Sequence, residues 1–469
     1  MRNMETSSNN NNWDDPNNID NPMNWPDNKK RMTTSLISLT TFLASMAATI
    51  FAPGVPLLMH EFASTNQELA AFLVSVYIIG FGIGPLVLAP MSELWGRAIL
   101  LHCSNIGMII SSVACAVSSN LGMFIFFRLM MGIAGCIPVT IGGGVIADIV
   151  PPEKRGAAMS VWGMGLVAKS STGPVIGGYL AEGKGWRWIF WLLTILSGVL
   201  TILSFMVLRE TYAPVLLQRS AKRSRKDESS DSPDVSPIYE RSPTQLFLQA
   251  IIRPSKLMVF SPVAGILALF ISVHYSYLYF LFTTFTPVFE NQYGFSTGEA
   301  GLAFLGMGIG LVLGVFSVGF YAKKYTETQT LRPLKPEDRL PPVILGASLF
   351  PAGLIWYGWT AHYRVHWIVP MIGTSFVGYG GTLLFLPVQM YLADAFQLYS
   401  ASAIATNTIA RNLIGATIPL AGGKLYGSLG LGWGNTLLGL ICVVVIPVPV
   451  LLMKYGERLR TSEKFQVKL

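Results

Sequence analysis

A chain of 469 residues that is 51% hydrophobic and only 12% charged carries about half the ~25% charge of a soluble domain. That balance excludes a soluble globular enzyme of ordinary composition and indicates a membrane class. The net charge of +8 raises nucleic acid or anionic lipid as partners, yet the basic residues flank apolar runs, as membrane topology requires.

Residues 1–33 are a polar tail rich in Asn, Asp and Pro, with no apolar core that a cleaved signal peptide would need. A disordered cytosolic tail is expected, ending in the basic collar Lys29, Lys30 and Arg31. Spans follow at 34–58, 70–90, 98–117, 121–147, 158–181 and 188–208. After a polar insert over 209–256 come 257–285, 300–322, 341–360, 366–391, 402–423 and 432–453. Each is close to the ~20 residues needed to cross a bilayer. A short tail, 454–469, closes the chain.

The charges support this order. With the N-terminus in the cytosol, 26 of the 33 Lys and Arg residues fall inside, four outside and three within spans (Arg128, Lys169 and Arg411). Such a bias places both termini in the cytosol. The insert 209–256, rich in Ser and Pro with basic Lys222–Lys226 beside Asp227 and Glu228, reads as a flexible cytosolic linker between an N-terminal and a C-terminal six-helix bundle. Twelve spans in two sixes match transporters built from repeated halves with a site between them near the midplane. The expected fold is therefore an all-α membrane protein around a central cavity. Gly-rich stretches at Gly132–Gly144, Gly163–Gly178, Gly306–Gly319 and Gly378–Gly381 fit closely approaching helices. Cys103, Cys115, Cys136 and Cys442 all lie in apolar runs and read as small core residues.

Between the second and third spans, the seven residues Met91–Arg97 hold an acid (Glu93), a turn glycine (Gly96) and a base (Arg97). The stretch Ala89-Pro-Met-Ser-Glu-Leu-Trp-Gly-Arg97 resembles the loop signature of the major facilitator superfamily. Ala89 stands where a first glycine is usual, and Ala98 where a second base is usual. Phe127-Arg128-Leu-Met-Met-Gly132 resembles the helix 4 signature, with Arg128 at the buried arginine linked to proton coupling. Asp148, Glu153, Arg155 and Gly156 resemble the loop that follows. Gly173-Pro174-Val-Ile-Gly177-Gly178 resembles the second half of the helix-bend signature of antiporters. Its usual upstream Gly-Pro pair is replaced by Lys169 and Ser170. Together with Arg209–Leu217, Pro336–Pro341 and Tyr391–Ala395, these resemble the fungal drug:proton antiporters with twelve spans.

Charge embedded in a span costs about 2.5–3.5 kcal/mol on insertion scales, so Arg128 and Lys169 are functional candidates by default. Arg128 is read either as a cation tuning a protonatable or substrate group, or as a structural bridge. Lys169 either attracts an anionic substrate or is an unpaired cation that loses its proton when buried. Asn412, beside Arg411, is a gate contact or simply adjoins a snorkelling arginine. Substrate-binding candidates with the aromatic and polar character that suits amphipathic organic molecules are His274, Tyr275, Tyr279, Gln389 and Tyr391. Glu93, Gly96, Arg97, Asp148, Arg155 and Asp394 are expected at a cytosolic gate. No acid lies in the middle of a span, so proton antiport is what the resemblance implies. His274, or a desolvated Asp148 or Asp394, is the titratable material for it.

The expected function is export of drugs, toxins or secondary metabolites, neutral or acidic, in exchange for protons by alternating access. A proton-independent facilitator or importer of a small nutrient is the alternative. No nucleotide loop, metal cluster or nucleophile–His–acid set marks an enzyme, and no cofactor is expected. The expected partners are a small organic substrate, protons and the bilayer, with a monomer in the plasma membrane or, alternatively, the vacuolar membrane.

Overall fold

A computed structural model describes residue 18 and residues 21–227, 243–328, 335–396 and 400–461. Most of the expected N-terminal tail, the middle of the linker and the last residues of the C-terminal tail lie outside the described residues. Among the described residues the chain is helical, without strands.

The helices in the first half are α1 Asp27–Met46, α2 Val55–Glu61, α3 Gln67–Trp95, α4 Arg97–Ala116, α5 Leu121–Ile149, α6 Pro152–Lys184 and α7 Arg187–Val207. α8 Ala213–Asp227 and α9 Pro243–Phe260 follow. The second half has α10 Pro262–Tyr293, α11 Thr297–Leu302, α12 Phe304–Thr328, α13 Pro341–His362, α14 Ile368–Ala395, α15 Ser400–Thr417, α16 Gly422–Val445 and α17 Pro447–Thr461. Grouped by their reversals, these make twelve rods, six on either side of the insert. By length and composition nine stretches among the described residues qualify as membrane crossings, and the last, Ser402–Arg460, is long enough for two. α1 and α6 are less apolar. α1 is rich in Ser and Thr, and α6 carries Lys154, Arg155, Lys169, Glu182 and Lys184.

Packing repeats between the halves. α3 lies on α5, α4 on α5 and α7, and α1 on α6. In the same relation α12 lies on α14, α13 on α14 and α16, and α10 on α15. The halves meet where α3 packs on α15 and where α6 packs on α11 and α12. Each bundle has its own apolar core, and outward stripes such as Ile309, Val312, Leu313, Phe316 and Phe320 on α12 present helical-period apolar surface to lipid.

Inside a bilayer every polar backbone group freed by proline needs a protein partner. Pro138 in α5 has no N–H, which frees the carbonyl of Ala134 one turn back, and Ser104 Oγ of α4 donates to that carbonyl at 2.7 Å. Thr41 Oγ1 of α1 donates to the Pro138 carbonyl at 3.1 Å, and Trp162 Nε1 donates to Thr41 Oγ1 at 3.0 Å. The hydroxyls that make α1 look weakly apolar, Ser35 apart, are thus buried.

Several boundaries differ from the sequence reading. The tail expected to be disordered through residue 33 takes form from Asn21, because Trp25 buries itself against Ile146, Ile149 and Val150 at the end of α5. The first span is broken: α1 stops at Met46 and resumes only at Val55, through a turn and a short 3-10 segment. The stretch Met91–Arg97 is almost no loop, since α3 runs through Trp95 and only Gly96 separates it from α4. Gly96 holds φ +103°, which L side chains rarely adopt, so one glycine reverses the chain. The insert expected as a flexible linker is helical at both ends, in α8 and α9, and α17 continues into the C-terminal tail. The chain reverses between the last two rods at Gly430, φ +69°.

Candidate functional site

Two regions gather the polar chemistry: a central cluster where the halves meet, and a ring of charges at the face that carries Arg97.

The central cluster starts from the break in the first rod. Arg128, on α5, is fully buried, and its Nη1 donates to the carbonyl of Ala47, the residue at which α1 ends, at 2.9 Å. The guanidinium carbon lies 5.4 Å from the Phe51 ring, 5.1 Å from Tyr77 and 5.7 Å from Phe190. These ring faces stabilise a cation that no carboxylate pairs among the described residues. Among the described residues Arg128 Nε and Nη2 have no hydrogen-bond partner. Tyr77, on α3, donates through its hydroxyl to the Ala44 carbonyl at 2.5 Å.

Tyr279 of α10, in the other half, is buried and lies within electrostatic reach of Arg128, Tyr77 and Arg411. The Tyr275 hydroxyl donates to that of Tyr279 at 3.4 Å. Arg411, on α15, is only 9% exposed and sits 4.8 Å from the Tyr275 ring and 4.6 Å from the Phe385 ring. Lys169, on α6, is half-buried and within reach of Arg411. Its backbone carbonyl accepts from Thr49 Oγ1 at 3.2 Å, at the break in the first rod. The structure thus brings Arg128, Lys169, Tyr275 and Tyr279 into one cluster and adds Tyr77 and Arg411.

Other candidates lie apart. His274 is buried within the second half, with Nδ1 2.8 Å from the Phe270 carbonyl and its ring against Phe270 and Phe350. Tyr391 lies beside Glu337 and Gly456, far along α14 toward the Arg97 face. Gln389 is half-buried, with Oε1 unpartnered among the described residues. Asn412 is buried where the halves meet, its Cβ 2.7 Å from where a Cβ on Gly82 of α3 would stand. Gly173, Pro174, Gly177 and Gly178 lie within the unbroken helix α6 and form a seam of close approach. Gly177 lies against the Ile50 carbonyl, and a Cβ at Gly178 would stand 2.7 Å from the Thr297 carbonyl of the other half.

At the Arg97 face, Arg97 Nε pairs with Asp148 Oδ2 at 2.7 Å. Glu210, just after α7, completes the corner. Its carboxylate accepts from the backbone N–H of Arg97 at 2.9 Å and of Ala98 at 3.3 Å, capping α4, and from those of Thr211 and Tyr212. It fills the space a Cβ on Gly96 would need. Arg155 Nη2 donates to the Ala147 and Val150 carbonyls at 3.0 and 3.4 Å, closing the end of α5. Glu93 lies within reach of Arg97 and of Arg253 on α9. In the second half Arg339 Nε pairs with Asp394 at 3.1 Å, and Lys335 with Glu457 at 2.7 Å. The two corners repeat one plan: a base at the start of one rod paired with an acid at the end of the next. Arg97–Asp148 and Arg339–Asp394 each stay within one half. Glu210→Ala should leave four N–H groups without that acceptor and cost about 1–3 kcal/mol, read as a lower unfolding midpoint in detergent. Glu210→Gln, which keeps one acceptor oxygen, should lose less.

At the opposite face the contacts cross between halves. Glu182 of α6 accepts from Gly298 N at 2.8 Å and Ser296 Oγ at 3.0 Å, and Lys424 pairs with Glu68 at 2.5 Å. Nearby, Arg187 donates to both carboxylate oxygens of Glu61 and Trp186 Nε1 donates at 2.7 Å, which together hold this carboxyl below the usual carboxylate range.

Sequence reading missed Glu210 and Tyr77. Glu210 falls inside the quoted stretch Arg209–Leu217, but nothing in the sequence ties it to Gly96, more than a hundred positions away.

The family model of the Major Facilitator Superfamily matches residues 37–419. The chain is 47% identical over 458 residues to the MFS-type transporter tndD of Aspergillus flavipes, covering 96% of this chain and 85% of that protein. It is 45% identical over 461 residues to the efflux pump radE of Floropilus chiversii, covering 97% and 86%. Among solved structures, the partially occluded, inward-open xylose transporter XylE of E. coli superposes with a TM-score of 0.68 at 17% identity, covering 91% of this chain and 98% of that one, a likeness of fold. On this evidence the chain belongs to the major facilitator superfamily: a multi-pass membrane transporter with twelve helices in two bundles, and not an enzyme.

Proposed function

We propose that this transporter exports drugs, toxins or secondary metabolites, neutral or acidic, in exchange for protons by alternating access. The observation that carries the reading is Arg128. A fully buried cation with two nitrogens unpartnered among the described residues, seated at a break in the first rod and within reach of Tyr279 in the other half, can register the arrangement of the halves. The name efflux pump given to a relative at 45% identity supports the outward direction. The placement of contacts supports alternation: cross-half contacts close the Trp186 face, while two of the ion pairs at the Arg97 face stay within their halves and leave it free to part.

In this reading the Arg97 face and both termini are cytosolic, the protein works as a monomer, and it resides in the plasma membrane. The gate is the set Glu93, Gly96, Arg97, Asp148, Arg155 and Asp394, which would re-pair across the halves when the cytosolic side closes. The test is efflux of acidic, neutral and cationic amphiphiles from cells with and without the protein, each with and without a protonophore. Efflux of acidic or neutral compounds that collapses with the protonophore is expected. Protein-dependent flux that ignores the protonophore would instead mean a facilitator.

A further inference from the structure

We propose that one ordered water molecule is bound inside the first bundle, beside the proline break of α5, where it joins α1, α4 and α7. The site lies within one half. It is independent of the central cluster, of the direction of transport and of proton coupling.

A cavity of about 10 Å³ lies where four helices meet, with Thr40 of α1, Ser104 and Asn105 of α4, Pro138 of α5 and Ser197 of α7 in its wall. That is about the room one water needs. Two of these side chains call for a ligand. Ser197 is 3% exposed and Asn105 4%. Among the described residues Ser197 Oγ has no hydrogen-bond partner, and the Asn105 amide makes no hydrogen bond either. A hydroxyl and an amide buried dry at this depth would each bear an uncompensated desolvation cost.

The other two hydroxyls cannot turn to help them. Thr40 Oγ1 donates to the Leu36 carbonyl at 2.8 Å and Ser104 Oγ to the Ala134 carbonyl at 2.7 Å, so the single proton of each is engaged while its lone pairs can still accept. Ser104 stands in for the N–H that Pro138 lacks, and turning its proton toward Asn105 or Ser197 would orphan the Ala134 carbonyl. The proline break thus leaves the polar groups beside it one partner short. A water supplies that partner: it donates to the Thr40 and Ser104 oxygens or to Asn105 Oδ1, and accepts from Ser197 Oγ or the Asn105 amide N–H. A buried water usually makes two to four such bonds, roughly what this wall offers. Rival occupants fit less well. No carboxylate lines the cavity, so a cation would enter uncompensated, and the volume is too small for an organic molecule.

The experiment uses the full-length protein in lipid nanodiscs. X-ray radiolysis turns a bound water into a hydroxyl radical, which oxidises the side chains in contact with it. Met108 lines the cavity although it is buried. It should be oxidised at least about tenfold faster than Met307, which is buried in the apolar core of the second half. Asn105→Leu, which fills the space and removes both donor and acceptor, should bring Met108 down to the Met307 rate. Unfolding midpoints give a second reading, whose sign separates a wet cavity from a dry one. With a water in place, Ser197→Ala breaks one of its hydrogen bonds and the midpoint falls. In a dry cavity the same change removes an unpartnered hydroxyl, and the midpoint rises or stays. Oxidation of Met108 no faster than that of Met307 would overturn the bound water. So would unchanged Met108 oxidation in Asn105→Leu, or a midpoint that does not fall in Ser197→Ala.

Discussion

Arg128→Ala should reduce protein-dependent efflux to background while the protein still reaches the membrane. Two opposing terms keep the variant folded. Truncating a large buried side chain among Phe51, Tyr77 and Phe190 costs about 2–5 kcal/mol, by analogy with other large-to-small core changes. Removing a cation from the interior returns about 2.5–3.5 kcal/mol on insertion scales. The two nearly cancel, so lost transport would report on the guanidinium rather than on unfolding. Arg128→Lys should also be strongly impaired. A compact ammonium cannot lie against three rings and reach the Ala47 carbonyl as a planar fork does. Normal efflux by Arg128→Ala, at equal surface abundance, would remove Arg128 from the coupling machinery and leave it a structural bridge.

A large expected effect on stability comes from one methyl group at Gly177. There α6 crosses the broken end of the first rod so closely that a Cβ would overlap the backbone carbonyl of Ile50, and a backbone atom cannot swing aside. Gly177→Ala must push the two elements apart, at about 1–3 kcal/mol for overpacking. A clear fall in the unfolding midpoint in detergent is expected. Gly163 on the same helix provides the contrast. Among the described residues a Cβ there meets nothing within 4 Å, so Gly163→Ala should be neutral or stabilising by up to about 1 kcal/mol through helix propensity. Equal midpoints for the two variants would show that the close approach at Gly177 does not constrain the fold.

The Arg97 corner shows how far the chain alone can be read. Glu93, Gly96, Arg97, Asp148 and Arg155 stand out by charge and position at span ends, and the structure joins Arg97 to Asp148. The acid that caps α4, Glu210, looks like one more linker charge until the end of α7 is brought beside the start of α4. His274, the one histidine chosen for its ordinary titration range, sits inside the second bundle against Phe270 and Phe350 rather than in the central cluster. Which side of an aromatic-rich helix faces a partner bundle and which faces its own core is not written in its period when both sides are apolar.

The family and the twelve-helix fold were legible in the residues, because bilayer thickness sets span length and the cost of crossing sets where charge can stand. Those are one-dimensional constraints, and a linear sequence carries them in full. The break of the first rod at Met46 and the seating of Arg128 on the carbonyl it frees were decided only by the tertiary structure. Each depends on which surfaces of separate helices come within a few ångströms of one another. That choice is made by glycine seams and side-chain shape acting across long separations in the chain, so no local stretch records it.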